Sequence, residues 1–211
     1  MDKLTGADVR AMLLYTADKI IESKPLLTEV DSAIGDGDHG IGMARGMESV
    51  KEAFAAQPEL SEPYALFSLA GRSMLMSMGG ASGVIFGSMF MGGAKGQEPA
   101  QALDAAALAA LFRRSLAAVQ TRGGAARGDK TMVDALAPAV DAMEASAPNG
   151  LEPMLSAAES AALEGVEYTK GLTARFGRAK SLMERAVGFQ DAGATSVWII
   201  FRSMHEWVQG V

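Results

Sequence analysis

The sequence predicts an all-α fold, a bundle of eight antiparallel helices in up-and-down order, on three observations. Apolar residues recur at helical spacing along nearly the whole chain, whereas the alternation expected of strands does not. The helical stretches are rich in Ala and Met and are joined by short connections, as in a helical bundle. No repeat, low-complexity tail or long linker parts the chain, so residues 1–211 read as a single domain.

Each element has its own signal. Val9, Met12, Leu13, Ala17, Ile20 and Ile21 share one helical face, and Pro25 is expected to close that helix. Met43, Met47, Val50 and Phe54 mark a second helix, ending near Pro58. The third runs from about Tyr64 to Met78, with Leu66, Leu69, Ala70 and Ser73 on one side, and stops at Gly79-Gly80. Val84 to Ala94 reads as a buried helix entered from a tight loop. Leu103, Leu108, Leu111, Phe112, Leu116 and Val119 form a fifth stripe, ended by Gly123 and Gly124. Thr131–Met143 and Pro153–Lys170 supply the sixth and seventh helices. The last spans Gly193 to about Val208, ends at Gly210, and has Asp191 where an N-cap would sit.

Composition narrows the function. The 211 residues are 49% apolar and 21% charged, enough to bury a sizeable core. A net charge of −6 argues against nonspecific binding to nucleic acid or acidic membranes. The absence of cysteine excludes disulfides, a thiolate nucleophile and Cys-ligated metal. The polar N-terminus has no signal-peptide core, and no apolar run is long enough to span a membrane, so a soluble cytoplasmic protein is expected. Fourteen methionines are read as core packing rather than a cofactor box.

Chemistry is expected in the loops. In an up-and-down order, the loops at 31–38, 79–83, 121–130 and 171–193 share one rim. The first carries Asp31, Asp36, Asp38 and His39, with Gly35 and Gly37 between the carboxylates. On a helix Asp36 and Asp38 would point about 200° apart. The glycines disfavour a helix, and in a turning backbone alternate side chains converge. Clustered carboxylates repel unless a cation lies between them, and a hard divalent ion such as Mg²⁺ takes carboxylate oxygens. The competing reading is that these aspartates only turn the chain and cap the next helix.

The other loops complement the first. Gly79-Gly-Ala-Ser-Gly83 opens a helix whose N–H groups suit phosphate, although small residues also serve close packing. No Walker-type loop and no dinucleotide fingerprint is present. The loop from Thr121 to Thr131 carries Arg122, Arg127 and Lys130; the loop after the seventh helix carries Arg178, Lys180 and Arg185. Basic groups at a rim with three aspartates suggest a site for both metal and phosphate. Of the two histidines, His205 is expected to be structural or exposed and His39 to face a phosphate or nucleotide.

Four motifs in order, Asp31…Ile-Gly-Asp-Gly-Asp-His-Gly40, Gly79-Gly-Ala-Ser-Gly83, Gly128-Asp-Lys-Thr-Met132 and Gly188…Gln-Asp-Ala-Gly-Ala-Thr-Ser196, span nearly the whole chain. In them the sequence resembles the L subunit of dihydroxyacetone kinase, equivalent to the nucleotide-binding C-terminal domain of single-chain dihydroxyacetone kinases. The resemblance implies a barrel of eight antiparallel helices with the nucleotide in loops at one rim. It implies that Asp31, Asp36 and Asp38 hold two Mg²⁺ ions on the phosphates of ADP or ATP, and that Arg178 stabilises transferring charge. It places His39, Gly40, Ile41, Gly42, Ala81 and Ser82 by the phosphates, and Gly123 and Met132 at the adenine. Arg178, Asp191, Ala192 and Gly193 complete the nucleotide site; Ala192 replaces a Pro frequent in the family. The implied partners are a K subunit that holds the ketose and an M subunit of the phosphotransferase system that rephosphorylates resident ADP. ATP as an exchanging substrate, or a tetrulose as acceptor, are the alternatives within the family. Outside it stand a non-catalytic Mg-nucleotide module and a purely structural bundle. The sequence leaves open whether the barrel interior holds a lipid or is filled by side chains.

Overall fold

The structure, a computed structural model, describes residues 1–210, apart from the side chain of Leu182. The helices are α1 (Gly6–Glu22), α2 (Lys24–Ile34), α3 (His39–Ala56), α4 (Pro63–Ser77) and α5 (Gly80–Gly92). They continue with α6 (Ala105–Gly123), α7 (Val133–Ser146), α8 (Leu151–Lys170) and α9 (Ala192–Gln209). All eight expected helices are present. Two three-residue strands, β1 (Lys3–Thr5) and β2 (Ala102–Asp104), pair antiparallel and tie the chain's start to the start of α6. Segments of three residues are too short to display alternation, so these strands left no pattern to read.

The one added α-helix among the described residues is α2. Pro25 does not close α1; it stands in the first turn of α2, where a missing N–H costs nothing. Ser23 joins the two helices as C-cap of one and N-cap of the next. Tyr15 of α1 bonds Glu206 near the end of α9, and a surface cleft brings Glu22, Ser23 and Leu26 beside Trp198 and Arg202. The chain thus climbs along α1 and continues through α2 against the descending α9. Because α2 extends the ascent without reversing it, the alternation of the remaining helices is kept.

Around the barrel α1 packs on α3, and each helix from α3 to α8 packs on its successor. Helix α9 closes the ring on α1, while α2 lies outside it on α3 and α9. One apolar core draws on all eight ring helices. Phe67 stacks on Phe90 with centroids 6.5 Å apart and meets Phe112 edge-on at 6.1 Å; Phe112 lies 5.0 Å from Phe201. All four rings are buried, so side chains occupy the barrel interior.

Helices α7 and α8 approach closely at a glycine. A Cβ on Gly165 would sit 2.3 Å from the Asp134 carbonyl oxygen and 2.6 Å from the Ala135 Cα. Gly165→Ala therefore forces the two backbones apart. The expected loss is about 1–3 kcal/mol from overpacking, set against a gain of up to about 1 kcal/mol in helix propensity. A thermal melt with Tm above the parent's would contradict this.

Candidate nucleotide and metal site

The alternating order gives one rim the starts of α3, α5, α7 and α9. A cavity of about 530 Å³ opens there, lined by residues from all four helix starts or the turns just before them. The first-turn N–H groups of a helix have no intrahelical acceptor and the helix dipole is positive at that end, so the rim favours anions. Gly79, with φ of 73°, turns the chain into α5, and no side chain caps that helix. Small residues Gly80, Ala81 and Ser82 line the cavity and leave backbone N–H groups approachable.

The three aspartates converge. One carboxylate oxygen from each of Asp31, Asp36 and Asp38 lies within 4.8 Å of the others. Asp31 belongs to the last turn of α2, not to the loop, so it approaches from a helix rather than a free arm. The glycines explain the fold-back. A Cβ at Gly35 would lie 2.3 Å from Asp31 Oδ1, and Gly37 has φ of 75°, a region favoured by glycine. Asp31 Oδ2 accepts the His39 N–H at 3.2 Å, so Asp31 supports the start of α3. Asp38 occupies the N-cap position of α3, yet its carboxylate makes no capping bond. Partial desolvation and then the charges of Asp36 and Asp31 push the exposed Asp38 carboxyl above its ordinary pKa, and Arg178 opposes them. Turn-making and capping account for Asp31 in part, leave Asp38 without a capping duty, and leave Asp36 with only the exposed Arg178 as partner. Three oxygen donors with mutual repulsion fit a hard divalent cation such as Mg²⁺.

Around this cluster Arg178 Nε lies 3.0 Å from Asp36 Oδ2, and the Arg178 side chain is 77% exposed. His39 is buried; its Nε2 meets Ser196 Oγ at 2.8 Å, its ring packs 5.9 Å from Phe86, and burial lowers its pKa. Met78, Ile85, Phe86 and Met132 give apolar walls.

Most expected site residues line this cavity: Asp31, Asp36, Asp38, His39, Ile41, Gly42, Ala81, Ser82, Met132, Arg178, Asp191, Ala192 and Gly193. Two stand behind the wall. Gly40 packs on α2, where a Cβ would be 2.5 Å from the Lys24 carbonyl, and Gly123 backs Ile85, with a Cβ position 3.0 Å from its Cδ1. Arg122, Arg127, Lys180 and Arg185 lie outside the cavity and exposed. Lys130, read in the sequence as a loop cation, is buried with its ammonium on two backbone carbonyls. Arg45 lines the cavity and escaped notice, although it stands one helical turn after Ile41 and Gly42. His205 is structural: Nδ1 meets Glu159 at 2.6 Å and Nε2 meets Glu152 at 3.3 Å, at the far side of α8 and α9.

Asp191 caps α9 by accepting the Ala194 N–H at 2.7 Å. Burial pushes its carboxyl up to about 7 from 3.8, with the Ala194 N–H and Lys130 pulling the other way. The folded state thus binds this proton more tightly than the unfolded state. The stabilisation is complete below about pH 4 and is lost as pH rises through about 7. Asp191→Asn removes the titration. The parent's stability relative to Asp191→Asn is expected to fall between pH 5 and pH 8, by up to about 3 kcal/mol. Urea unfolding of both chains at each pH measures this; a difference independent of pH would count against it.

A DAK2 domain model matches residues 33–206. The chain belongs to the DAK2 domain family. It is 37% identical over 187 residues to the PEP-dependent dihydroxyacetone kinase 1, ADP-binding subunit DhaL, of Listeria innocua, covering 89% of each chain. It is 39% identical over 180 residues to the corresponding ADP-binding subunit of Escherichia coli, covering 84% of this chain and 85% of that one. The structure superimposes on the dihydroxyacetone kinase of C. freundii in complex with AMP-PNP and Mg²⁺ with a TM-score of 0.73 and 28% identity. That match takes in 95% of this chain but only 34% of the other, so this chain spans about a third of the single-chain kinase. These relatives are kinases or their subunits, and the C. freundii enzyme shares the helical fold of this chain.

Proposed function

We propose that this chain is the nucleotide-binding subunit of a dihydroxyacetone or other short-chain ketose kinase. It would form a single nucleotide-binding domain over residues 1–211. The observation that carries the reading is the convergence of Asp31, Asp36 and Asp38 at a cavity ringed by four helix N-termini.

Asp31, Asp36 and Asp38 hold Mg²⁺, two ions in this reading, and the metal supplies charge neutralisation on the β- and γ-phosphates. The backbone N–H groups at the starts of α3 and α5 take the phosphate oxygens, helped by Ile41, Gly42, Ala81 and Ser82. Met132 and the apolar wall receive the base, with Gly123 behind Ile85; Asp191, Ala192 and Gly193 close the site. Arg178 turns from Asp36 towards the transferring phosphoryl group. Phosphoryl transfer needs positioning and electrostatic stabilisation rather than a nucleophile of this chain, in keeping with such a residue set.

The ketose is held by a separate K subunit. ADP stays resident and is rephosphorylated by an M subunit of the phosphotransferase system. Two observations favour this branch: free-standing relatives named ADP-binding subunits match over most of their own length, and one of them, in Lactococcus lactis, is named PTS-dependent. The alternative is ATP as an exchanging substrate; a tetrulose as its acceptor has support in a D-erythrulose kinase of Mycolicibacterium smegmatis that is 34% identical, matched over 34% of its length. Native mass spectrometry before and after EDTA tests the reading. Added mass of ADP plus two Mg²⁺, lost on chelation, is expected. A bare chain that binds added Mg·ATP weakly favours the exchanging branch, and a chain that binds neither nucleotide overturns the proposal.

A further inference from the structure

Lys130 is the one lysine with a buried ammonium among the described residues, being 2% exposed. Its backbone is also unusual, a non-glycine residue at φ of 60°, a conformation kept only where the surroundings enforce it. Nζ donates to the Thr169 carbonyl at 2.6 Å and to the Phe189 carbonyl at 2.6 Å. These two carbonyls flank one segment, the stretch between the last turn of α8 and the start of α9.

That segment arches over the cavity. Phe176, Gly177, Arg178 and Ala179 line the cavity from it, and Arg178 reaches Asp36. Its body rests on α2 through a small cluster of Ile34, Ala174 and Ala186, with Ala179 beside it, and on the loop that carries Lys130 through Arg175, whose N–H donates to the Asp129 carbonyl at 3.1 Å. Phe176, Met183, Val187 and Phe189 are exposed. A patch of this size and one backbone bond beside an exposed ion pair hold a segment weakly, so the arch depends largely on its neck. There Gly188 donates to the Lys170 carbonyl at 2.7 Å and Asp191 donates to Thr169 Oγ1 at 2.9 Å, and Lys130 spans both sides. Burial lowers the Lys130 pKa while Asp191 and Asp134 support its charge.

We propose that Lys130 is a positioning residue that pins the neck of residues 170–189 and so sets how slowly a bound Mg·nucleotide leaves the cavity. The inference rests on the nucleotide reading above and explains how ADP could remain resident. Lys130 does not touch the phosphates in this account; it acts through Arg178 and the arch that carries it.

The test follows the release of a fluorescent ADP, loaded with Mg²⁺ and chased with excess unlabelled ADP. Lys130→Met keeps the stem and removes the ammonium, and is expected to release nucleotide about tenfold faster or more. Since the chain has no cysteine, Lys130→Cys alkylated with 2-bromoethylamine, unfolded and refolded beside the parent, returns an ammonium at nearly the same reach. Slow release is expected to return with it. A structural loss alone would not be rescued in this way. Should the variants fail to fold, the unmodified chain suffices. With Mg·ADP bound, acetic anhydride is expected to modify Lys130 no faster than nucleotide leaves. Release by a folded Lys130→Met within twofold of the parent, no rescue on alkylation, or Lys130 acetylation running ahead of release would each overturn the proposal. A parent chain that binds no Mg·ADP would instead sink the nucleotide reading itself.

Discussion

Asp38→Asn is expected to raise the stability of the nucleotide-free chain slightly while abolishing its response to Mg·ADP. The two effects have opposite signs because Asp38 makes no capping bond and sits against two other carboxylates. Its folded pKa is raised, so the charged form is the one the fold disfavours above the ordinary carboxylate range. Asn keeps the shape and drops the charge. Asp38 is exposed, so solvent screening limits the gain to about 0–1 kcal/mol. That amounts to a Tm unchanged or higher by roughly 0–4 °C. With nucleotide the sign reverses. A ligand at about a hundred times its Kd stabilises the parent by about 2.7 kcal/mol, or roughly 5–11 °C. The variant, short of one oxygen charge at the metal, is expected to lose about a hundredfold or more in affinity and with it this shift. Differential scanning fluorimetry with and without Mg·ADP reads both arms. If Asp38 were only a turn residue, the variant would lose stability without ligand and keep the shift with it.

The site was legible where chemistry is written in residue type over a short stretch. Three aspartates, two glycines and a histidine within nine positions specify a local fold-back with donors attached, whatever the rest of the chain does. The rim was legible because the sense of successive helices alternates. It survived the unforeseen α2 only because that helix prolongs the ascent of α1. Pro25 misled because proline stops one helix and starts another with equal ease. Lys130 and Asp134 were not legible, since a charged residue in a glycine-rich loop reads as solvated until tertiary packing puts two carbonyls or two N–H groups against it. Arg45 was hidden differently: its helical phase was readable, but nothing in the sequence said that the exposed face at the start of α3 is a cavity wall.

Asp134→Ala is expected to give the largest loss of stability at the rim, although Asp134 lies outside the cavity lining. The residue is fully buried in the first turn of α7, where a carboxylate also complements the helix dipole. Its two oxygens accept backbone N–H groups from the loop before the helix, Gly128 at 2.5 Å and Thr131 at 2.8 Å. Together they hold the turn through Gly128 and Lys130, both at positive φ, and so aim Thr131 and Met132 at the cavity. Alanine leaves two donors with no acceptor, at about 1–3 kcal/mol each. The sum of about 2–6 kcal/mol corresponds to a Tm lower by roughly 4–24 °C. Asp134→Asn is expected to fall between, because a carboxamide accepts from one N–H and turns its own NH₂ towards the other. The order parent, Asn, Ala in urea midpoints is the diagnostic result. A loss below about 1 kcal/mol for alanine would mean that water reaches both N–H groups and that the turn is held by its glycine and by the Asp129 carboxylate on Ala126 N–H instead. The expected order would make Asp134 the residue that shapes the loop and leave Lys130 the narrower task of tying the arch to it, so stability and nucleotide residence would respond to two different side chains.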